Sequence, residues 1–179
     1  MPRRAILAAG TLAAAIALPL ASARAQLAGT SPAQPYPQTI AVDALGLPFG
    51  LFSAEYEVAV APGFGVGAGG SYLSTGGFGD VRGWAEAKVL YYPSEATLSG
   101  LGVGLTGGFI RARDNSAGGN SDTGVTFGVV AQYNWLLGPR RRFLVGVGGG
   151  ARRVVGSIPD DSPLDRVYPD ARAVIGIAF

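Results

Sequence analysis

The stretch FLVGVGGGARR, residues 143–153, sorts its residues by parity. Phe143, Val145, Val147, Gly149 and Ala151 share one parity, while Gly146, Gly148, Gly150 and Arg152 share the other. The same division recurs in TIAVDAL (39–45), LFSAEYEVAV (51–60), FGVGAGGSY (64–72) and VRGWAEAKVLYY (81–92). It returns in LGVGLTGGF (101–109), TGVTFGVVAQYNW (123–135) and ARAVIGIAF (171–179). Alternation with a period of two is the pattern of a strand with two unlike faces. Beyond the N-terminal region no segment sustains the 3.6-residue period of a helix. The chain is therefore expected to be all-β, with about eight strands of roughly 9–11 residues, the length that crosses a bilayer at a tilt.

One parity is continuously apolar, and the other is small or charged. Glycine decides which face is inside. It supplies 29 of 179 residues, where an average chain would carry about 13. Enrichment of that kind often marks disorder, but this chain is 48% hydrophobic and only 15% charged, too apolar to stay unfolded. Glycine within a strand gives up packing. A row of it suits a narrow, crowded lumen, whereas a soluble barrel fills its interior with bulky side chains. The pattern predicts a closed antiparallel up-and-down membrane β-barrel, apolar outside and glycine-rich and charged within.

Two glycine runs, GVGAGG (65–70) and GVGLTG (102–107), fit the dinucleotide-binding pattern G-x-G-x-x-G, and GVGGGA (146–151) nearly does. That motif needs a helix straight after the glycine turn. Each run lies inside an alternating segment, so nucleotide binding is excluded. The chain has no Cys and no His, which removes thiol chemistry and the commonest general base. A net charge of +2 gives no basis for a nucleic-acid partner. No cofactor, metal or catalytic site is expected.

Residues 1–25 are read as a cleaved signal peptide: MPRR, an apolar run, then Ala23-Arg24-Ala25. Gln26–Gln38 is Pro-rich and polar, a flexible periplasmic lead-in to a barrel spanning 39–179. Starting from the periplasm, the turns are APG (61–63), PSEATLS (93–99) and GPRRR (138–142). The external loops are GLPFG (46–50), STGGFGD (74–80), RDNSAGGNSD (113–122) and GSIPDDSPLDRVYPD (156–170), so the longest connections fall outside. On the apolar parity, Phe64, Tyr91, Tyr133, Trp135, Phe143 and Phe179 gather near the inner edge, and Phe52, Tyr72, Phe109 and Phe127 near the outer. They form two expected interfacial girdles.

Charges on the lumen parity cannot stay unpaired in a narrow interior. Asp43, Glu55, Glu57, Arg82, Glu86, Lys88, Arg152 and Arg172 are expected to interlock there, with Gln132 and Asn134 completing the hydrogen bonds. Asp114–Asp122 loosely follows a calcium loop but lacks its closing Glu, and is read as a solvated loop. The arginines at 140–142 could meet inner-leaflet phosphates or simply form a solvated turn.

On these residues the chain resembles the small eight-stranded outer-membrane β-barrels, the class of the OmpA transmembrane domain. YNWLLGPRRRFLVGVGGGARR (133–153) is similar to a hairpin of uncharacterised small outer-membrane β-barrel proteins. Ala173, Ile175, Ile177 and Phe179 resemble the C-terminal signal read by the barrel-assembly machinery. The resemblance implies outer-membrane location, lipid and that machinery as partners, and an unknown ligand at the external loops. It implies no activity. The expected role is structural or surface recognition, without catalysis. A narrow pore, a lipid-modifying enzyme working without His, and a soluble lipocalin-like binder are the alternatives.

Overall fold

The computed structural model describes residues 36–73, 81–94, 97–113, 121–155 and 167–179. The expected signal peptide and most of the lead-in lie outside the described residues. Eight strands are present: β1 (Gln38–Asp43), β2 (Leu51–Ala61), β3 (Phe64–Leu73), β4 (Val81–Tyr91), β5 (Gly100–Arg113), β6 (Ser121–Leu137), β7 (Phe143–Val155) and β8 (Tyr168–Ala178). Each pairs antiparallel with its sequence neighbour, and β1 pairs with β8 to close the barrel. Closure leaves no free edge for another chain to pair with.

Period two is visible throughout. On β6, Val125, Phe127, Val129, Ala131, Tyr133 and Trp135 are exposed, while Thr126, Gln132 and Asn134 between them are buried. In a barrel of so few strands the inner face has much less room than the outer. The inward parity therefore takes glycine wherever a neighbouring strand comes close.

Connections between β2 and β3, β4 and β5, and β6 and β7 lie at one end, called here the turn end. The opposite loop end carries the connections between β1 and β2, β3 and β4, β5 and β6, and β7 and β8. The seam is pinned at the turn end: Phe179 N donates to Gln38 O at 2.9 Å and Gln38 N to Phe179 O at 3.2 Å. Gln38, the last residue of the expected lead-in, is thus the first of β1. Ala41, Leu144 and Val174 form a small apolar cluster inside, with Leu136 packed on it.

The structure departs from the sequence reading in several places. Strands β5, β6 and β7 have 14, 17 and 13 residues, longer than bilayer crossing requires. Ladder pairing carries them beyond the apolar segments, as Arg111↔Thr123 and Ala112↔Asp122 show. β8 begins at Tyr168, so Tyr168–Asp170 belong to a strand rather than to an external loop. Leu45 leaves β1, and GLPFG folds as a 3-10 turn, Leu47–Phe49, ended by Gly50 at φ 74°. The β4–β5 register shifts between Val81 and Gly83. That shift interrupts the alternation at Arg82, whose side chain lies outside the described residues.

Candidate functional site in the barrel lumen

Alternate residues of five strands point the polar side chains inward. β2 supplies Glu55 and Glu57, β4 Glu86 and Lys88, β6 Gln132 and Asn134, β7 Arg152, and β8 Asp170 and Arg172. Register sets their heights. Gly67 pairs with both Glu57 and Lys88, so the glycine lies between acid and base. A Cβ on Gly67 would sit 2.7 Å from Lys88 Cε and 2.9 Å from its Cγ. Glycine there lets the lysine stem lie flat across the wall and reach the acids of β2.

Lys88 Nζ lies 3.1 Å from Glu55 Oε2 and 3.1 Å from Glu57 Oε2, and donates to Gln132 Oε1 at 3.2 Å. Arg172 grips Glu55 through Nε, at 3.1 and 3.2 Å, and through Nη2. Its Nη1 donates to Asn134 Oδ1 at 3.1 Å. Gln132 Nε2 donates to Glu57 Oε2 at 3.1 Å. Two acids and two bases make this cluster neutral.

Nearer the loop end, Arg152 bridges Glu86 and Asp170. It pairs with Glu86 through Nη1 and reaches Asp170 Oδ2 from Nη2 at 2.6 Å and from Nε at 3.0 Å. Thr106 Oγ1 donates to Glu86 at 3.2 Å. Such charge-assisted, forked contacts suit the planar guanidinium. Asp43 stands apart: it accepts from Leu45 N at 2.9 Å and Ala173 N at 3.5 Å. Among the described residues no cation lies within ion-pair distance of it.

The turn end is closed from within. PSEATLS was expected to be a plain turn, but Thr97 and Leu98 are buried, as is Tyr92 before it. Tyr92 N donates to Gly63 O at 2.7 Å, and Gly63 N to Thr97 Oγ1 at 2.9 Å, folding the connection inward. The Tyr92 hydroxyl donates to Glu57 Oε1. Burial, then the Glu57 carboxylate, hold its phenol above the ordinary tyrosine range, so it stays a donor. Gly102 and Gly65 make room for the ring. A Cβ on Gly102 would lie 2.9 Å from Tyr92 Cε1, and one on Gly65 3.3 Å from Cε2. The glycine runs that imitate a nucleotide motif therefore seat Tyr92 and Lys88. Tyr92→Phe is expected to cost about 1–3 kcal/mol, because Glu57 loses a donor in a dry site. Chemical unfolding in micelles would measure it.

Among the charges, a cavity of about 400 Å³ extends toward the loop end, lined in part by Asp43, Glu55, Trp84, Glu86, Lys88, Arg152, Asp170 and Arg172. Sequence reasoning missed Asp170, Tyr92, Thr97, Leu98 and Thr106. Carrying the β8 alternation two residues upstream would have placed Asp170 on the face of Arg172.

The ten expected girdle residues are all exposed on the outer wall. Phe64 and Tyr91 contact each other near the turn end with ring centroids 5.2 Å apart, and Tyr133 and Trp135 at 4.7 Å. Ile175, Ile177 and Phe179 also face outward, and Ala173 is half-buried. Arg140, Arg141 and Arg142 are exposed in the turn, with the Arg142 guanidinium 4.9 Å from the Tyr36 ring centre. Of the calcium-like run Asp114–Asp122, residues 114–120 lie outside the described residues and Ser121 and Asp122 belong to β6; the loop segments 74–80 and 156–166 also lie outside the described residues.

Eight strands, all antiparallel, close in sequence order. The fold is a closed eight-stranded antiparallel up-and-down barrel. No protein-family model matches the sequence, and no curated protein does either. Among solved structures, the N-terminal β-barrel domain of Pseudomonas aeruginosa OprF is similar, at 12% identity and a TM-score of 0.47. The match covers 79% of this chain and 96% of that one.

Proposed function

We propose that the chain is an integral outer-membrane β-barrel with a structural or surface-recognition role and no catalytic activity. One observation carries the reading: polarity is inverted. Leu105 and Val129 are 66% and 55% exposed, while Glu57 and Lys88 are 1% and 5% exposed. In water that arrangement would leave a large apolar surface uncovered and bury charge at a loss. In hydrocarbon the same wall is solvated, and the aromatic rings at its two ends match the two interfaces. An antiparallel barrel satisfies its backbone groups internally, as a lipid solvent demands.

Expressed with its full sequence in a Gram-negative host, the protein is expected in the outer-membrane fraction. Its gel mobility should shift between unheated and boiled samples. Recovery in the soluble periplasm, with one mobility, would sink the reading and favour a lipocalin-like binder.

A pore is the weaker reading because Tyr92, Leu98 and the neutral charge cluster fill the lumen at the turn end. Planar bilayers holding the purified protein are expected to show no resolved conductance steps. Regular steps above the protein-free baseline would revive the pore.

A further inference from the structure

Charge divides between the two ends of the barrel. By sequence, the turn-end connections carry three bases, Arg140, Arg141 and Arg142, against one acid, Glu95. The loop-end connections reverse the sign, with Asp80, Asp114, Asp160, Asp161 and Asp165 against Arg166. All three turn-end arginines are exposed, and among the described residues no carboxylate lies within ion-pair distance of any of them. Arg142 stacks on the Tyr36 ring at 4.9 Å, which steadies its charge without neutralising it.

The turn holds these arginines close to the wall. Leu137 and Phe143 pair across the β6–β7 ladder and are 45% and 50% exposed, so they mark its lipid-facing edge. Arg140, Arg141 and Arg142 stand no more than three residues from one of the two. Three residues reach about 10 Å, and the headgroup layer beside a bilayer core is about 5–8 Å deep. The turn is also tight: Arg141 N donates to Gly138 O at 2.9 Å. Arg141 takes φ 50°, a left-handed conformation that glycine adopts more readily. Strain of that kind gathers where a side chain binds something, and a solvated turn has no use for arginine at that position.

We propose that the Gly138–Arg142 turn anchors the barrel on anionic phospholipid headgroups of the leaflet at the turn end. This rests on the membrane reading above, which makes that leaflet the inner one. Arg140 and Arg141 present forked donors that match phosphate oxygens. Arg142, held by Tyr36, adds a third positive charge beside them.

The test reconstitutes the full chain in bilayers of phosphatidylcholine and phosphatidylglycerol, with bromine on the acyl chains of one lipid at a time. Bromine quenches a tryptophan that it touches. Trp135, exposed on β6 two residues before Leu137, reports the lipid beside the turn, whereas Trp84 lines the inner cavity. Quenching of wild type should show a preference for phosphatidylglycerol of about five-fold. Arg140→Gln with Arg141→Gln should bring that ratio close to one, and Arg140→Lys with Arg141→Lys should keep most of it. Arg153→Gln, toward the loop end of β7, should leave it unchanged. A ratio that survives the paired Gln variant, or that Arg153→Gln lowers equally, would overturn the proposal. So would its loss in millimolar inorganic phosphate at constant ionic strength, which would mark a free-anion site. Insertion with equal quenching by both lipids sinks this proposal alone. Failure of the wild-type chain to insert sinks the membrane reading with it.

Discussion

Lys88→Met should be among the most damaging single changes in the lumen, at about 3–5 kcal/mol. Lys88 Nζ is 3.1 Å from a carboxylate oxygen of each of Glu55 and Glu57. Glu55 keeps Arg172 when the lysine goes. Glu57 keeps only neutral donors, Tyr92 and Gln132, and is 1% exposed. A buried carboxylate without a cation must either stay ionised at high cost or take up a proton. Adding Glu57→Gln removes the orphaned charge, so the double variant should be more stable than Lys88→Met alone. Glu57→Gln by itself should cost less, because Lys88 retains Glu55. Urea unfolding in detergent micelles, followed by Trp84 inside and Trp135 outside, gives all four corners of the cycle. A loss below about 1 kcal/mol for Lys88→Met would mean that water reaches Glu57 and the lumen is not dry.

Network geometry explains why this interior tolerates seven described charges in two separate groups. The cluster near the turn end is self-neutral, and it lies beside the apolar floor of Leu90, Leu98 and Leu144. The group nearer the loop end, Arg152 with Glu86 and Asp170, has one acid in excess and borders the cavity. The cavity also reaches Glu55, Lys88 and Arg172 of the neutral cluster, while Glu57 is 1% exposed, so Glu57 is the acid of that cluster that most needs its partners.

Strand number, strand faces and barrel closure were legible because each depends on local alternation, and alternation is written residue by residue. Glu57 and Lys88 could be placed in the lumen by parity alone. Their contact could not, since it depends on the register that sets Gly67 between them. Asp170 was read as loop because Pro169 and Asp170 look like turn residues, yet pairing with β7 through Gly150↔Asp170 draws them into the ladder. The connection PSEATLS is polar in composition, and nothing local shows that Thr97 and Leu98 fold inward. That outcome depends on hydrogen bonds to Gly63 and Ala61, more than thirty residues earlier. Asp43 shows the same limit in reverse: parity puts it with the charges, but the backbone N–H groups of Leu45, just past β1, and of Ala173 on β8 take it instead.

Gly176→Val is expected to prevent the barrel from closing. Gly176 lies on β8, paired with Ala41 of β1 across the seam and with Leu144 of β7 on the other side. A Cβ there would fall 2.7 Å from both Cα and Cβ of Ala41, and would also collide with the Ile40 carbonyl oxygen. These are backbone atoms and the first side-chain carbon, so no rotamer change relieves the clash. Overpacking a core that can adjust costs about 1–3 kcal/mol; here the only adjustment is to part the strands. β1 is the shortest strand, with 6 residues, so few other ladder bonds hold the seam. Gly107→Val is the matched control. It adds the same side chain to a glycine on the outer wall, where the nearest atom to a new Cβ is Thr126 O at 3.7 Å. Refolding into micelles, read by the heat-dependent mobility shift, should give the folded band for Gly107→Val and little or none for Gly176→Val. If both fold alike, glycine on the inward parity is not there to make room, and the crowded-lumen explanation of its abundance fails.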